Sequence, residues 1–404
     1  MICRKLFIVV IFILSASAKS QEVGSKSFNF KWDNGFKVQS QDSLFSLKFG
    51  GSIFVDHGFF NSDAQLTENF GPLESKSGTE IRRARLFFSG SVFRNTFFKF
   101  QVDFAGDEVE LKDVYIGISD IPGIGNFQIG HFKEPFRLSA LTSSKYYTFM
   151  EGGANSDFSQ GRNNGAMIFN DFFNDRLSAQ LAAFRNGSNN SNDVSANDGY
   201  VLTGRVTGIP LRNDAERQLL HVGASYSFRK PDSKEYEISI APGSHLSEDY
   251  ISTGIIELVD DVSLINFESA FIQGSFSVQA EYLSASVNSI DYGYQFSNYY
   301  AELSYFITGE SKNFESSYDG FGRVKPKTNF GGRQKGSGAL EVAFRYSKTD
   351  LSDKIILGGT QADLTFGMNW YLNSATRVMV NYVRAYIENK GNLDVFQARF
   401  QIDF

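Results

Sequence analysis

Between about residue 43 and the C-terminus, apolar and polar side chains alternate at period two in segments of about ten residues. Phe98, Phe100, Val102 and Phe104 alternate with Lys99, Gln101 and Asp103. Leu340, Val342, Phe344 and Tyr346 alternate with Glu341, Ala343, Arg345 and Ser347. The last residues repeat the pattern, with Phe396, Ala398, Phe400, Ile402 and Phe404 set against Gln397, Arg399, Gln401 and Asp403. A strand points successive side chains to opposite faces, so each segment has one greasy and one wet face. No helical period intervenes. The pattern predicts about sixteen strands, near 43–56, 79–91, 96–105, 109–118, 126–134, 162–170, 175–186, 200–208, 219–229, 263–272, 275–286, 296–307, 338–347, 361–372, 376–386 and 393–404.

Sixteen one-sided strands need somewhere to put their apolar faces. A sandwich would need two or three separate cores. A propeller would show a blade repeat, and none is present. A closed barrel in a bilayer solves the problem without a core, because lipid covers the apolar face and every backbone group pairs with a neighbouring strand. The 41 Phe and 18 Tyr residues favour that solution, since many stand at strand ends, as in Tyr146-Tyr147, Tyr299-Tyr300 and Trp370-Tyr371, where barrels carry aromatic girdles. The fold class expected is therefore all-β, a transmembrane antiparallel β-barrel of about sixteen strands. Its connections predict short turns on one side and long loops on the other, the long ones being 61–78, 230–260 and 308–336.

The N-terminus reads as an export signal. Arg4 and Lys5 precede a nine-residue apolar run, Leu6–Leu14, and then Ser15-Ala16-Ser17-Ala18. Residues 1–18 are the expected signal peptide, with cleavage after Ala18 or Ser20 and Ala18 favoured. Residues 19–42 are expected as an N-terminal periplasmic-side segment, and 43–404 as the barrel. Cys3 is the single cysteine and leaves with the signal, so the mature chain has no thiol chemistry. The mature chain carries 37 basic against 45 acidic side chains, a net charge of −8. That balance excludes a nucleic-acid partner, which requires a basic face.

Several stretches together resemble one family, the phosphate-selective porins of the O and P type. They are Glu80-Ile-Arg-Arg-Ala-Arg-Leu86, Val109-Glu-Leu-Lys-Asp-Val-Tyr115, Gly130-His-Phe-Lys-Glu-Pro-Phe136, Leu141-Thr-Ser-Ser-Lys-Tyr146 and Gly161-Arg-Asn-Asn-Gly165. Further on come Leu303-Ser-Tyr-Phe-Ile-Thr-Gly-Glu310, Val324-Lys-Pro326, Gly338-Ala-Leu-Glu-Val-Ala-Phe-Arg-Tyr-Ser347, Asn369-Trp-Tyr-Leu-Asn373 and Asn381-Tyr-Val-Arg384. They run in order over nearly the whole mature chain. The resemblance implies a sixteen-stranded barrel in the outer membrane of a Gram-negative bacterium. It also implies a homotrimer and a passive channel for small anions such as phosphate, with lipid around it and no cofactor. Lys325 and the Arg82-Arg83 pair match basic positions of such channels. Ser52 and Ser139-Ala140 stand where further basic residues are expected, and the 315 region offers Glu315. The resemblance thus supports a porin more strongly than it supports phosphate.

A channel does no bond chemistry; it needs charged side chains facing the lumen where it is narrow. Strand parity places Arg83, Arg85, Lys99, Arg162, Arg205, Arg229, Arg345, Arg377 and Arg399 inward. Asp103, Asp113, Glu281, Glu302, Glu341, Asp363 and Asp403 share that face. Cross-strand pairing would merely solvate the wall; an unpaired surplus would select anions, and arginine's fork suits a passing oxyanion. Arg82 has the parity of Leu86 and faces lipid unless a bulge or strand end intervenes. The segment 131–162, with Lys133, Glu134, Arg137 and Lys145, is expected to fold into the barrel. Loop 308–336 carries a net charge of +3. The candidate selectivity residues are therefore Arg82, Arg83, Arg85, Lys99, Lys133, Arg137, Lys145, Arg162, Arg205, Lys325 and Arg345. No zinc motif, nucleophile elbow or phosphate-cradling loop appears, and no metal site is expected from His57, His131, His221 and His245. Asp193 and Asp198 in an Asn/Ser-rich loop are a remote Ca²⁺ candidate. The competing function is a barrel used mainly for binding or adhesion through its long loops.

Overall fold

The computed structural model describes residues 27–32, 35–153, 158, 161–185, 199–331 and 335–404. The signal-peptide expectation and Asp193 and Asp198 lie outside them. Sixteen long strands form the wall: β1 Phe45–Ser62, β2 Ser77–Val92, β3 Thr96–Asp103, β4 Glu110–Ile121, β5 Gly125–Lys133, β6 Arg162–Phe172, β7 Leu177–Arg185 and β8 Tyr200–Asn213, then β9 Gln218–Lys230, β10 Val259–Gln273, β11 Phe276–Ser289, β12 Gly293–Phe306, β13 Ala339–Asp353, β14 Ile356–Tyr371, β15 Thr376–Ile387 and β16 Gly391–Asp403. Each pairs antiparallel with the next. The ring closes where Leu393–Asp403 pairs with Ser62–Ser52. Phe404 completes the seam: its N–H donates to the Gly51 carbonyl at 3.0 Å, and its own carbonyl accepts from Gly51 N–H at 2.7 Å. A closed ring leaves no edge, which is the condition for a sheet to sit in lipid.

Parity sorts the side chains as expected. Ile116, Leu181, Phe366 and Phe400 lie on the outer face and are more than half exposed, whereas Thr203, Asn298, Thr365 and Gln401 face inward and are buried. Val102 shares the outer face with its partner Leu86 yet is only 8% exposed.

An N-terminal hairpin, Phe28–Trp32 with Phe36–Ser40, extends the sheet by pairing Phe36–Gln39 with Phe49–Ser46 of β1. It lies at the end of the barrel that carries the short turns 93–95, 122–124, 173–176, 214–217, 274–275 and 372–375. The opposite end carries 63–76, 134–153 and 231–258. One expectation is corrected here. The long segment 307–338 follows β12, an even-numbered strand, so it leaves from the short-turn end rather than joining the other long loops. The wall is also uneven. It is 18 residues tall at β1 and 16 at β14, but 8 at β3 and 9 at β5 and β7.

Candidate functional site: a lumen narrowed by three segments

Three connecting segments fold into the barrel. The first, described over 134–153, runs along the inner wall and is tied to β10, β11, β12, β13, β14, β15 and β16. Leu138 N–H donates to Glu268 of β10 at 2.9 Å, and Ser139 N–H and Oγ donate to Glu281 of β11 at 2.7 and 2.8 Å. Thr148 Oγ1 donates to Glu302 of β12 at 2.8 Å, and Met150 N–H to Asn381 of β15 at 2.8 Å. From the wall, Asn369, Arg377, Arg345 and Arg399 donate to the carbonyls of Thr148, Tyr147, Glu151 and Met150 at 2.7–2.9 Å. Inward carboxylates and arginines thus act as partners for a loop backbone that has left the sheet, and such groups must be satisfied when buried. Gly367 on β14 makes room for the loop. A Cβ there would sit 2.8 Å from the Phe149 ring and 2.8 Å from Asn381 Nδ2.

The second segment, 307–338, enters from the short-turn end. Arg205 donates to the Ser317 carbonyl at 2.6 Å, Tyr318 Oη donates to Asp171 at 2.7 Å, and Arg323 pairs with Asp403. It meets the first segment where Phe321 N–H donates to Thr142 Oγ1 at 3.2 Å. Phe314, Phe321, Leu138, Leu219 and Ile272 share one apolar cluster beneath it. The third segment, 231–258, brings Ile238, Ile240, Tyr250, Ile251 and Ile256 against inward-facing Leu264, Leu283, Val287, Val383 and Leu393.

These segments cover the inner face of β9–β16. The space left open lies against β2–β6, where the basic residues gather. Arg82 comes inward because of a bulge: Phe54 faces Arg83 and Val55 faces Ile81, so Arg82 is the extra residue. Arg82 forms a two-pronged bond to Glu151, Nε to Oε1 at 3.0 Å and Nη2 to Oε2 at 3.2 Å. Arg399 holds Asp56 at 2.6 Å and Glu151 at 3.1 Å. Arg85 holds Asp103 at 2.6 Å; Lys99 and Arg162 share Asp113 at 2.5 and 2.7 Å. Arg83 has no carboxylate partner among the described residues, lies 6.0 Å from the Phe54 ring centre, and keeps a buried Nε without a hydrogen bond.

The other candidates are spread more widely. Lys133 Nζ donates to the carbonyls of Leu141 and Thr142, both at 3.1 Å, and so fastens the first segment to β5. Lys145 rests between the rings of Phe87 and Tyr146, 4.0 Å from Asp403. Burial and the neighbouring cations Arg323, Lys99, Lys48 and Arg85 lower its pKa to about 7. Glu151 goes the other way: burial raises its pKa, but Arg82 and Arg399 outweigh that and hold it at about 2. Arg345 stacks 4.6 Å over the Phe149 ring. Arg205 is fully buried against Glu268, off the open passage. A cavity of about 370 Å³ collects Arg82, Arg83, Arg137, Tyr147 and Glu151. A separate cavity of about 360 Å³ at the short-turn end collects Arg212, Arg217, Lys312, Arg323 and Lys325. Lys325 is therefore not at the same level as Arg83 and Arg85. Glu151 was not among the candidates, because a loop residue carries no parity signal.

The histidines are spoken for singly: His57 by Thr79, His131 by Asn164, His221 by Glu268 and His245 by Glu80. No group of three metal-ligating side chains occurs among the described residues.

A closed, lipid-facing barrel whose lumen is narrowed by folded-in segments and lined with charge is an outer-membrane porin, a channel rather than an enzyme. Residues 55–404 match the family described as "Phosphate-selective porin O and P", and the chain belongs to it. It is 26% identical over 392 residues to Porin O of Pseudomonas aeruginosa, covering 88% of this chain and 86% of that protein. Among solved structures it is similar to an anion-selective porin from Comamonas acidovorans, with TM-score 0.56 and 12% identity over 89% of this chain and 100% of the other. It is also similar to the trimer form of OmpT of Vibrio cholerae, with TM-score 0.53 and 11% identity over 89% of this chain and 99% of the other. The chain resides in the outer membrane of a Gram-negative bacterium and passes small solutes by diffusion.

Proposed function

We propose that this porin favours small anions, phosphate-like oxyanions among them, and that the residues governing the preference are those on the open side of the lumen. The observation that carries the reading is the imbalance of partners there. Asp113 serves both Lys99 and Arg162, Glu151 serves both Arg82 and Arg399, and Arg83 has no carboxylate among the described residues. A permeating ion responds to charge within about a Debye length, about 8 Å at physiological salt. The whole-chain charge therefore does not decide selectivity, whereas this local surplus does. The names of Porin O's family and of the Comamonas porin point the same way. Arg82, Arg83, Arg85, Lys99, Arg137, Lys145 and Arg162 are the residues assigned to the passage. Lys325 belongs to the short-turn mouth, and Arg205, Lys133 and Arg345 hold the inward segments in place.

The remaining parts of the reading follow from family likeness. The short-turn end faces the periplasm, residues 1–18 are the cleaved signal, 19–42 lie on the periplasmic side, and the working form is a homotrimer. An adhesive role through long loops is less favoured, since 134–153 and 231–258 are committed to the lumen. The test is the reversal potential of purified protein in a planar bilayer under a KCl gradient. A potential on the chloride side supports the reading, and one on the potassium side sinks it.

A further inference from the structure

We propose that Glu151 is a tethered counter-anion: its carboxylate occupies the oxyanion-binding position of this passage and sets how weakly a passing oxyanion is held. The inference deepens the anion reading above and rests on it.

The geometry around Glu151 is that of an anion site with its anion already in place. Arg82 presents its fork to both carboxylate oxygens at 3.0 and 3.2 Å, the arrangement guanidinium groups adopt with free carboxylates and phosphates. Arg399 adds a third donor at 3.1 Å. Arg83, adjacent to Arg82 on the bulge, lines the same cavity without a carboxylate of its own among the described residues. The bulge is the device that makes this possible, because it turns two successive arginines toward one cavity. Three guanidinium groups, Arg82, Arg83 and Arg399, gather with the carboxylates Asp56, Glu80 and Glu151, of which Glu80 faces His245 and only Glu151 bonds to Arg82. Asp56 belongs to the wall and is saturated by both prongs of Arg399. Glu151 is supplied by the loop, whose backbone is fixed independently by Arg345 Nη1 on the Glu151 carbonyl and by Arg399 Nη1 on the Met150 carbonyl. The side chain can therefore be altered without removing the bonds that hold the loop. A free phosphate or sulfate reaching this cavity must share Arg82 and Arg399 with a carboxylate that never leaves. Entry is favoured by Arg83, and retention is limited by Glu151, which is what a channel needs if it is to conduct rather than trap its solute.

The experiment compares block of chloride current by inorganic phosphate and by sulfate in single channels of wild type, Glu151→Gln, Glu151→Asp and the double variant Arg82→Gln/Glu151→Gln. Glu151→Gln should lower the half-blocking concentration of either oxyanion by at least about tenfold, since one negative charge a few ångströms from the bound anion is gone. The double variant should lose most of the gain. Glu151→Asp keeps the charge but shortens its reach to Arg82, so it should shift the block in the same direction by less. Should Glu151→Gln fail to assemble, the sign of the aspartate shift decides. An unchanged half-block in an assembled Glu151→Gln channel, a gain that persists without Arg82, or no shift in the aspartate variant overturns the proposal. A wild type that favours cations would remove the anion reading yet leave these shifts measurable. A wild type that favours anions with no gain in Glu151→Gln would remove only the role given to Glu151.

Discussion

Two halves of one lumen follow opposite rules. Against β2–β6 the inward face is ionic: Arg85 holds Asp103, Lys99 and Arg162 share Asp113, and Arg82 and Arg83 line a cavity. Against β10–β16 toward the long-loop end, the inward face is aliphatic: Leu264, Leu283, Val287, Leu351, Val383, Ile387, Leu393 and Val395 are all at most 1% exposed. Loop 231–258 covers them as one layer of a globular core covers another. The difference shows that a barrel of sixteen strands is wider than the solute path it needs. Part of the interior is filled like an ordinary protein interior, and the residues proposed to set selectivity stand outside that part.

The comparison is easiest to break in the packed half. Val383→Asp places an uncompensated charge in an apolar cluster and should cost about 3 kcal/mol or more. Leu283→Ala leaves a cavity and should cost about 2–5 kcal/mol. Both are read as the urea midpoint of the folded, heat-modifiable band. Variants that do assemble should show higher and noisier conductance, because loop 231–258 has lost its seat. If stability and conductance both match wild type, that loop does not fill the lumen.

In the open half the same stability measurement should barely move, while selectivity should. Arg83→Glu converts the cation without a carboxylate partner into an anion beside Glu151. The reversal potential should swing toward cations, and more at low salt, where the Debye length is longer. Arg345→Glu is the matched control, because Arg345 is spent on the Glu151 carbonyl and the Phe149 ring. It should loosen the inward loop more than it changes ion preference. Equal selectivity shifts in the two variants would dissolve the distinction between passage and support.

How much of this was readable from residues alone differs between the halves too. The sixteen strands and their faces followed from period two, because a lipid-facing row must be apolar and the facing row was mostly polar. Arg82 was misplaced by parity and restored by the bulge, which no local propensity announces. The packed half was missed although it left a signal: Val262-Ser263-Leu264-Ile265 and Leu283, Ala285 and Val287 put apolar residues on the inward parity, which a uniformly wet lumen would not want. The side from which 307–338 leaves was also readable, by counting strands, since it follows the twelfth. Glu151 was not readable, because its meaning comes from Arg82 and Arg399, 69 and 248 positions away.

A smaller effect sharpens the picture from the side of pH. Lys145 lies between Phe87 and Tyr146, with Asp403 at 4.0 Å and Arg323, Lys99, Lys48 and Arg85 as cationic neighbours. Its pKa is lowered to about 7, so it is charged below that pH and neutral above it. Anion preference should therefore fall as pH rises from about 6 to about 8, a range in which exposed lysines and arginines keep their charge. Glu151, held at about 2, contributes nothing to such a step. In Lys145→Met the step should vanish and the high-pH preference should persist throughout. A step that survives in Lys145→Met would belong to another group.

The smallest effect is expected at the short-turn mouth. Lys325 is exposed and shares its cavity with Arg212, Arg217, Lys312 and Arg323. Asp214 also lines that cavity, and Lys312 is already engaged with Glu341 at 3.7 Å. Lys325→Ala thus removes one charge of several from a wide, hydrated opening, where screening is strongest and no geometry is fixed by the side chain. On the proposed reading the mouth concentrates anions ahead of the passage but does not choose among them. The variant should accordingly lower chloride conductance slightly at low salt, leave it unchanged at high salt, and leave the reversal potential where it was. That pattern contrasts with Arg83→Glu, whose effect should be on the potential itself. If Lys325→Ala instead moves the reversal potential as far as Arg83→Glu does, the narrow point of this channel lies at the short-turn end, and the assignment of selectivity to the β2–β6 wall must be given up.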